Sequence, residues 1–344
     1  MKKSLMITII IILSLSYVTS VFLFNRYYRL RDKPLAFKNH QAAQVTTPKL
    51  KLVTWNLGYG GLGEESDFVT DGGTHMLPPS RRIVKKNIEG INSTIQSIDA
   101  DVFAFQEVTR ISPMNYWVNL KTDLDRVLTH YTAIYRPEIL SRMVPAPIRI
   151  NYGKAFYVKP RISSLRNRPL PLEPINYFGF IKRLYSALVI HIPIQGRDKE
   201  WVIFNIHLSA FDKNGNVRMK QLRAVIDMAR EEYKAGNYVI LAGDWNMVLH
   251  QPKNSYTTEN RFLFWLIKFP DMILPPDWQI VTSKDIPSVR TLERPYKAAE
   301  NFTTIIDGFI LSPNVGWTSV NAVDTRFRDT DHQPVILEAT ARPS

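Results

Sequence analysis

The chain has 344 residues, of which 45% are hydrophobic and 22% charged, and this composition excludes a disordered or collagen-like chain. The absence of cysteine excludes disulfide scaffolds, zinc fingers and thiol nucleophiles. Residues 1–39 contribute +6 to the net charge of +13, so the remaining body carries only +7, which favours a phosphate-bearing partner without requiring one.

An uncharged, apolar segment of 21 residues begins the chain, from Ser4 to Phe24. A helix of that length spans roughly 30 Å, the thickness of the hydrocarbon core of a bilayer. We therefore expect residues 1–25 to be a membrane anchor or a signal segment, with membrane contact through residues 4–24. Small residues at Val18 and Ser20 would permit cleavage after residue 20 and secretion. The apolar run continues past this point, which favours an uncleaved anchor.

The charges around this segment give two opposite indications of its orientation. The excess of arginine and lysine after the segment favours a cytoplasmic body, because basic residues tend to remain on the cytoplasmic side. The short start with Lys2 and Lys3 instead resembles an export signal. We expect a single-pass membrane protein with an extracytoplasmic body.

The rest of the chain predicts a linker over residues 26–48 and one domain over 49–344. Two amphipathic helices are expected, over 81–98 with Ser80 as N-cap and over 219–233 ending at Gly236. The expected strands are 50–56, 101–108, 184–194, 200–208, 238–246, 302–311 and 334–340. Several of these strands follow one another with no helix between them. This order predicts an α+β fold, a two-sheet β-sandwich flanked by helices in four layers (α/β/β/α), after one N-terminal transmembrane or signal helix.

Polar and ionisable side chains recur at the ends of these strands or inside apolar runs. Each one alone is typical of a turn residue or a satisfied core histidine. Buried singly, each would cost several kcal/mol, whereas together at one edge of the sandwich they would form a charged pocket. The residues concerned are Asn56, Glu107, Asn205, His207, Asp244, Asn246, Asp307, Asp331 and His332.

Two other features of the sequence carry less information. The segment from Gly58 to Gly63 fits G-x-G-x-x-G but leads into a polar loop, so it lacks the helix N-terminus that a pyrophosphate site needs. Residues 250–300 contain an apolar patch, which is interpreted as a core helix or, alternatively, as a lipid-facing lobe. Its residues are Phe262, Phe264, Trp265, Leu266 and Phe269.

Taken in chain order, the sequence blocks at these strand ends resemble the motifs of the endonuclease/exonuclease/phosphatase superfamily. This superfamily includes pancreatic-type deoxyribonucleases, abasic-site endonucleases, bacterial sphingomyelinases and inositol polyphosphate phosphatases. Six blocks match in the family's order over residues 49–340, with Thr330 where the family usually has serine. The blocks are Thr54-Trp55-Asn56, Gln106-Glu107-Val108, Asn205-Ile206-His207-Leu208, Gly243-Asp244-Trp245-Asn246, Ile306-Asp307-Gly308-Phe309 and Thr330-Asp331-His332-Gln333-Pro334-Val335.

The resemblance implies a role for each site residue. Glu107, Asp331 and Asn56 would bind Mg²⁺ or Mn²⁺, which prefer hard oxygen ligands. The other five would act on the substrate: Asp244 on the attacking water, Asn246 on that water or a phosphate oxygen, His207 as a donor, and His332 as an imidazolium fixed by Asp307. The implied chemistry is in-line displacement at phosphorus.

We therefore expect a metal-dependent phosphodiester hydrolase, a nuclease ahead of other activities, acting as a monomer. Basic stretches at Arg81-Arg82 to Lys85-Lys86 and at Lys159 to Arg168 favour nucleic acid over phospholipid. The alternative is a membrane-associated sphingomyelin or inositol-phosphate phosphodiesterase or phosphatase, which the anchor favours. A more remote alternative is an inactive, membrane-anchored binding module.

Overall fold

The structure is a computed structural model that describes residues 2–174, 181–210, 212, 214–252, 263 and 266–343. Within these residues the helices are α1 (Lys2–Tyr27), α2 (Arg81–Ser97), α3 (Leu120–Val127) and α4 (Asn216–Lys234). The strands are β1 (Lys33–Pro34), β2 (Lys49–Asn56), β3 (Val102–Ile111), β4 (Thr132–Leu140), β5 (Asn151–Val158), β6 (Ser164–Pro169), β7 (Ser186–Pro193), β8 (Glu200–His207), β9 (Tyr238–Asp244), β10 (Gln279–Val281), β11 (Val289–Arg290), β12 (Thr303–Thr304), β13 (Asp307–Leu311), β14 (Val315–Ala322) and β15 (Val335–Ala341).

Two mixed sheets pack face to face. The first sheet has the strand order β1-β6-β7-β8-β9-β13-β10, and the second has the order β14-β15-β2-β3-β5-β4. Most neighbours are antiparallel, but β2 runs parallel to β3 and β8 runs parallel to β9. The carboxyl ends of these four central strands lie at one end of the sandwich, where their terminal polar residues can meet.

The burial pattern of the strands explains the layers. Along β2, Leu50 and Leu52 contribute to the core between the sheets, while Val53 and Trp55 contribute to the core under α2. This alternation follows from the two-residue period of a strand. The apolar stripe of α2 covers the second sheet, and that of α4 covers the first. The predicted four-layer α/β/β/α sandwich is therefore confirmed.

The predicted element bounds differ from the observed ones in a few places. The strand expected at 302–311 is two strands, because Ile306 leaves the ladder and its carbonyl oxygen accepts a hydrogen bond from the Trp245 amide at 3.0 Å. The predicted N-cap of α2 is observed, since the Ser80 hydroxyl accepts from the Ile83 amide at 3.3 Å. In the apolar patch, Phe269 is buried against Trp245 as core, but the neighbouring Lys268 pairs in a β-bridge and is not helical. Phe262, Phe264 and Trp265 lie outside the described residues.

Helix α1 is the one described helix that is long and apolar enough to cross a membrane, with a mean hydropathy of 2.4. A signal sequence would share this property. The segment that follows it runs along the first sheet: β1 pairs with β6, and Thr46 forms a bridge with Ile194. Asp32 in this segment bonds to Arg166 at 3.0 Å.

Candidate active site

The eight predicted site residues lie together at the carboxyl ends of the central strands. Asn56 ends β2, His207 ends β8 and Asp244 ends β9, where it pairs in register with Asp307 at the start of β13. His332 is held at this end by a β-bridge to Val289. The structure thus gathers side chains from both sheets into one cleft.

Two backbone distortions aim side chains into the cleft. Glu107 has a left-handed backbone (φ 56°) at a register shift between β3 and β5, which is a β-bulge that turns its side chain away from the strand alternation. Asn246 is also left-handed (φ 49°) directly after β9. Such conformations cost on the order of 1–3 kcal/mol in non-glycine residues and concentrate at functional sites.

Asp244 is at the centre of the contacts. It accepts hydrogen bonds from Asn56 Nδ2 at 3.0 Å and from the Asn246 amide at 2.9 Å. Its Oδ2 lies 3.5 Å from His207 Nε2 and 3.8 Å from His332 Nε2. Burial, with a further contribution from Asp307, raises the pKa of Asp244 to about 6. The carboxylate is therefore ionised at neutral pH, yet is a better proton acceptor than an exposed aspartate.

His332 and Asp307 form a buried ion pair. His332 Nδ1 lies 2.8 Å from Asp307 Oδ2, which also accepts from the Ser288 hydroxyl at 2.7 Å. Burial alone would lower the pKa of His332, but Asp307 and Asp331 outweigh it and raise that pKa well above its usual value. The ring is therefore an imidazolium whose Nε2 faces Asp244.

His207 has the opposite protonation state. Arg183 Nη2 lies 2.8 Å from His207 Nδ1, and a guanidinium can only donate, so Nδ1 accepts and the ring proton is on Nε2. Burial, Arg183 and Lys154 lower the pKa of His207 well below its usual value. The neutral ring directs its N–H towards Asp244 and towards Glu107 Oε1, which is 3.9 Å away.

Three charged residues behind His207 are absent from the set predicted from the sequence. Arg183 bonds to Glu138 Oε2 at 3.2 Å, and Glu138 Oε1 lies 2.9 Å from Lys154 Nζ. Glu138 and Lys154 are fully buried within β4 and β5. The signal that singled out Asp307, an ionisable group inside an apolar strand, would also have found Lys154.

Glu107 and Asp331 form the acidic side of the cleft. Burial raises the pKa of Glu107 to about 7, with Asp331 adding to the rise and Arg183 and a hydrogen bond from Tyr152 opposing it. Burial also raises the pKa of Asp331. A Cβ at Gly58 would lie 2.9 Å from Asp331 Oδ1, so only glycine allows the chain to pass this close. Two neighbouring carboxyls with raised pKa values are suited to a divalent cation, because its positive charge would offset the cost of ionising both groups in a buried site.

A second set of candidate metal ligands is Asp244, Asp307 and His332, whose ligand atoms lie within 4.8 Å of one another. In this set the Asp307 oxygen already accepts from Ser288 and from His332, and His332 retains its proton. A protonated imidazole cannot bind a metal, because both its nitrogens are donors. The site therefore has an oxygen-rich half, with Glu107, Asp331 and Asn56, and a proton-bearing half.

The sequence and the fold agree with one family. The profile described as the endonuclease/exonuclease/phosphatase family matches residues 53–332, so the chain belongs to this family, whose members are divalent-metal-dependent hydrolases of phosphoesters. No curated protein matches the chain.

Solved structures of the same fold include an endonuclease/exonuclease/phosphatase from Beutenbergia cavernae, with a TM-score of 0.58, 18% identity and coverage of 86% of this chain and 72% of that one. Another is TDP2 from Caenorhabditis elegans (TM-score 0.52, 12% identity, 85% and 75% coverage). A third is ANGEL2, a 2',3'-cyclic phosphatase, in complex with adenosine-2',3'-vanadate (TM-score 0.55, 13% identity, 92% and 100% coverage). At these identities the likeness shows the fold alone.

The pKa values predict how metal binding depends on pH. Glu107 must lose its proton to bind a cation, so the affinity for Mn²⁺ should increase as the pH rises through about 7. The measurement is the increase in melting temperature that Mn²⁺ causes, taken from about pH 5 to pH 8. Glu107→Gln should abolish the increase, and the matched variant Asp307→Asn should retain it. The reverse result would place the metal on the Asp244, Asp307 and His332 set.

Proposed function

We propose that the protein is a divalent-metal-dependent phosphodiester hydrolase, a nuclease first, that acts by in-line attack of water on phosphorus. The observation that supports this most is the position of Asp244 between two halves of one cleft. His332 as imidazolium lies on one side and the acidic pair Glu107 and Asp331 on the other. A phosphodiester needs both positive charge for its developing negative charge and a proton acceptor for the water.

In this proposal Glu107, Asp331 and Asn56 hold Mg²⁺ or Mn²⁺. When bound, the ion supplies positive charge to a phosphoryl oxygen. The fit rests on the donor set: three oxygen-bearing side chains, two of them carboxyls with raised pKa values. Oxygen ligands without thiols favour these hard cations.

The remaining residues handle protons and substrate oxygens. Asp244 orients the water and accepts its proton, which its pKa of about 6 permits. His332 donates from Nε2 to the phosphate, and Asp307 keeps it protonated. His207 offers a hydrogen bond from Nε2–H to the phosphate or to the leaving oxygen, in the tautomer fixed by Arg183, and retains this proton because the ring is neutral. Asn246 holds Asp244 through its amide and contributes to the binding of the water or a phosphate oxygen.

Two substitutions test these roles. Asp244→Asn and His332→Ala should each lower kcat by about a hundredfold or more on any phosphodiester that the enzyme cleaves, because each removes a group that stabilises the transition state. The matched control is Asp227→Asn, at a mostly exposed carboxylate on α4. Circular dichroism would establish that all three variants fold. Near-normal turnover of either site variant would contradict the assigned role.

Of the two basic stretches that favoured nucleic acid, only one is placed to contact a strand bound at the site. Lys159 lies at the far end of the sandwich, since its amide donates to the Asp101 carbonyl at the start of β3, and its ammonium pairs with Asp99. Arg168 bonds to acidic side chains.

Arg81 and Arg82 are exposed on the first turn of α2. The helix passes near the site one to two turns after these arginines, because Asn87 donates to the Gly60 carbonyl just beyond β2. The α2 surface is therefore the proposed contact for nucleic acid.

If nucleic acid is the substrate, Arg81→Gln combined with Arg82→Gln should weaken binding and reduce the slope of log affinity against log salt by about 2. The matched control, Lys159→Gln, should leave both unchanged because it is far from the cleft. Binding is measured by fluorescence anisotropy with single-stranded and duplex DNA and RNA. An unchanged salt slope in the double variant would contradict the α2 contact.

A second candidate substrate is a phospholipid, as in a sphingomyelin or inositol-phosphate phosphodiesterase. It is favoured by the contacts of α1 with the body: Asn25 Nδ2 donates to the Arg142 carbonyl at 2.9 Å, close to a strand that lines the cleft. A screen of the full chain with Mg²⁺, Mn²⁺ or EDTA separates the two candidates. Cleavage of sphingomyelin or an inositol phosphate, with DNA and RNA left intact, would replace the nuclease assignment.

We also propose that α1 is retained as a single-pass anchor and that the body is extracytoplasmic. The full chain should be recovered in the membrane fraction with its N-terminus intact. In intact cells, a membrane-impermeant maleimide should label Met272→Cys, which is the sole thiol of that variant and lies at a 99% exposed position. A soluble protein that begins near Val21 would indicate a signal peptide, and labelling only after lysis would indicate a cytoplasmic body.

A further inference from the structure

The loop between β4 and β5, residues 141–150, has an apolar tip. Its sequence from Arg142 to Arg149 is six uncharged residues, Met-Val-Pro-Ala-Pro-Ile, between two arginines. Met143 is 51% exposed and Ile148 is 64% exposed. Trp117, 44% exposed, lies beside them and donates from Nε1 to the Pro147 carbonyl. Large apolar side chains thus point outward together, which is uncommon on a surface that faces only water.

Side chains bond two of the carbonyls near the tip of this loop. The carbonyl of Val144 accepts from Arg149 Nε at 2.7 Å, and that of Pro147 accepts from Trp117. The two prolines have no N–H to satisfy. Each bonded carbonyl and each missing N–H lowers the cost of placing this apolar tip in a lipid phase, where no water is present to bond free backbone groups.

Two further carbonyls of the loop are bonded by α1 itself. Asn25 Nδ2 donates to the Arg142 carbonyl, and the Tyr17 hydroxyl donates to the Met143 carbonyl. The Arg142 amide in turn donates to Asn25 Oδ1 at 2.8 Å. Tyr17 and Asn25 are eight residues apart, or about 12 Å along the helix. The loop therefore lies alongside the second half of the apolar segment and not only beyond its end.

The charged ends of the loop lie where the head groups of a bilayer would be. The Arg142 guanidinium stacks 4.2 Å from the centre of the Tyr28 ring and donates to its hydroxyl at 3.0 Å. Tyr28 directly follows α1, in the position typical of the aromatic residues at a membrane surface. Arginine side chains at such a level bury their methylenes and keep the charge at the head groups.

We propose that the 141–150 loop and Trp117 form a membrane-inserted wedge that docks the body on the phospholipid bilayer beside α1. The proposal rests on the proposed retention of α1 as a membrane span. The bilayer is the occupant because the wedge is continuous with α1, which bonds the carbonyls of Arg142 and Met143. The wedge is independent of the substrate that the cleft hydrolyses.

The wedge is coupled to the cleft through the strands that it joins. Its base is closed by the Ser141 amide, which donates to the Ile150 carbonyl at 3.0 Å. Two residues further along β5, Tyr152 lies close enough to Glu107 to counteract part of the rise in the pKa of Glu107. Glu138, two residues before the end of β4, bonds to Arg183. Docking of the wedge therefore sets the height and orientation of the cleft above the bilayer.

The absence of native cysteine makes a depth measurement direct. Ile148→Cys in the full chain is labelled with a polarity-sensitive fluorophore and reconstituted in phosphatidylcholine–phosphatidylglycerol liposomes that contain lipids with a nitroxide on the upper acyl chain. The probe should be quenched and its emission shifted to the blue. The matched control is Met272→Cys, exposed on another face, whose probe should remain unquenched.

A second pair of variants tests the apolar contact without relying on one label position. With the label at Ala146→Cys, adding Ile148→Asp should reduce the quenched fraction by about tenfold, because a carboxylate is strongly disfavoured in the bilayer. Adding Met272→Asp should leave it unchanged. Equal quenching at positions 148 and 272, or no effect of Ile148→Asp, would overturn the proposal. Mass spectrometry of the reconstituted chain verifies that α1 is present, and hydrolysis is assayed separately. Failure of the loop to insert is therefore distinguished from loss of α1 and from loss of the proposed activity.

Discussion

The two sheets are joined at the site by a pair of buried amide side chains, and the rest of the cleft depends on this joint. Gln106 Nε2 donates to Asn205 Oδ1 at 2.9 Å, and Asn205 donates to the carbonyls of Phe105 and Ala155 at 3.1 and 3.0 Å. A buried amide left unpaired costs about 1–3 kcal/mol, so the sheets cannot slide past each other without penalty. Gln106 directly precedes Glu107, and Asn205 lies two residues before His207. The joint therefore holds Glu107 Oε1 and His207 Nε2 3.9 Å apart.

The electrostatics of the cleft follow from burying many ionisable groups in one place. Neighbours decide the outcome residue by residue: Asp307 keeps His332 charged, while burial and Arg183 keep His207 neutral. The pKa of Glu107 is raised because burial outweighs the attraction of Arg183. The Arg183, Glu138 and Lys154 network behind His207 is joined by two buried ion pairs, and such a network fixes geometry more than it adds stability. In the proposed function, these charge states are in place before a cation and a phosphate bind.

The attachment to α1 gives the cleft a defined place relative to the proposed membrane. The strands β4 and β5 carry the apolar loop at one end and contact Glu107 and Arg183 through Tyr152 and Glu138. If α1 is retained in a bilayer, strands that connect it to the site restrict the approach of substrate to directions that the bilayer leaves open. This constraint applies equally to a nucleic acid strand arriving from solution and to a phospholipid arriving from the bilayer.

The sequence by itself determined the class of fold and the apolar helix, and it predicted eight polar side chains that the structure brings together. Strand alternation and helical spacing are local properties, and a polar residue such as Asp307 inside an apolar run can be recognised without coordinates. The tertiary structure alone decided the protonation states, because they depend on distances between residues far apart in the chain, such as Arg183 to His207 at 2.8 Å. It also decided that Lys159 lies away from the cleft and that the 141–150 loop meets α1. Residue type predicts which buried groups require a polar or charged partner, but only the packing of the chain determines which residue that partner is.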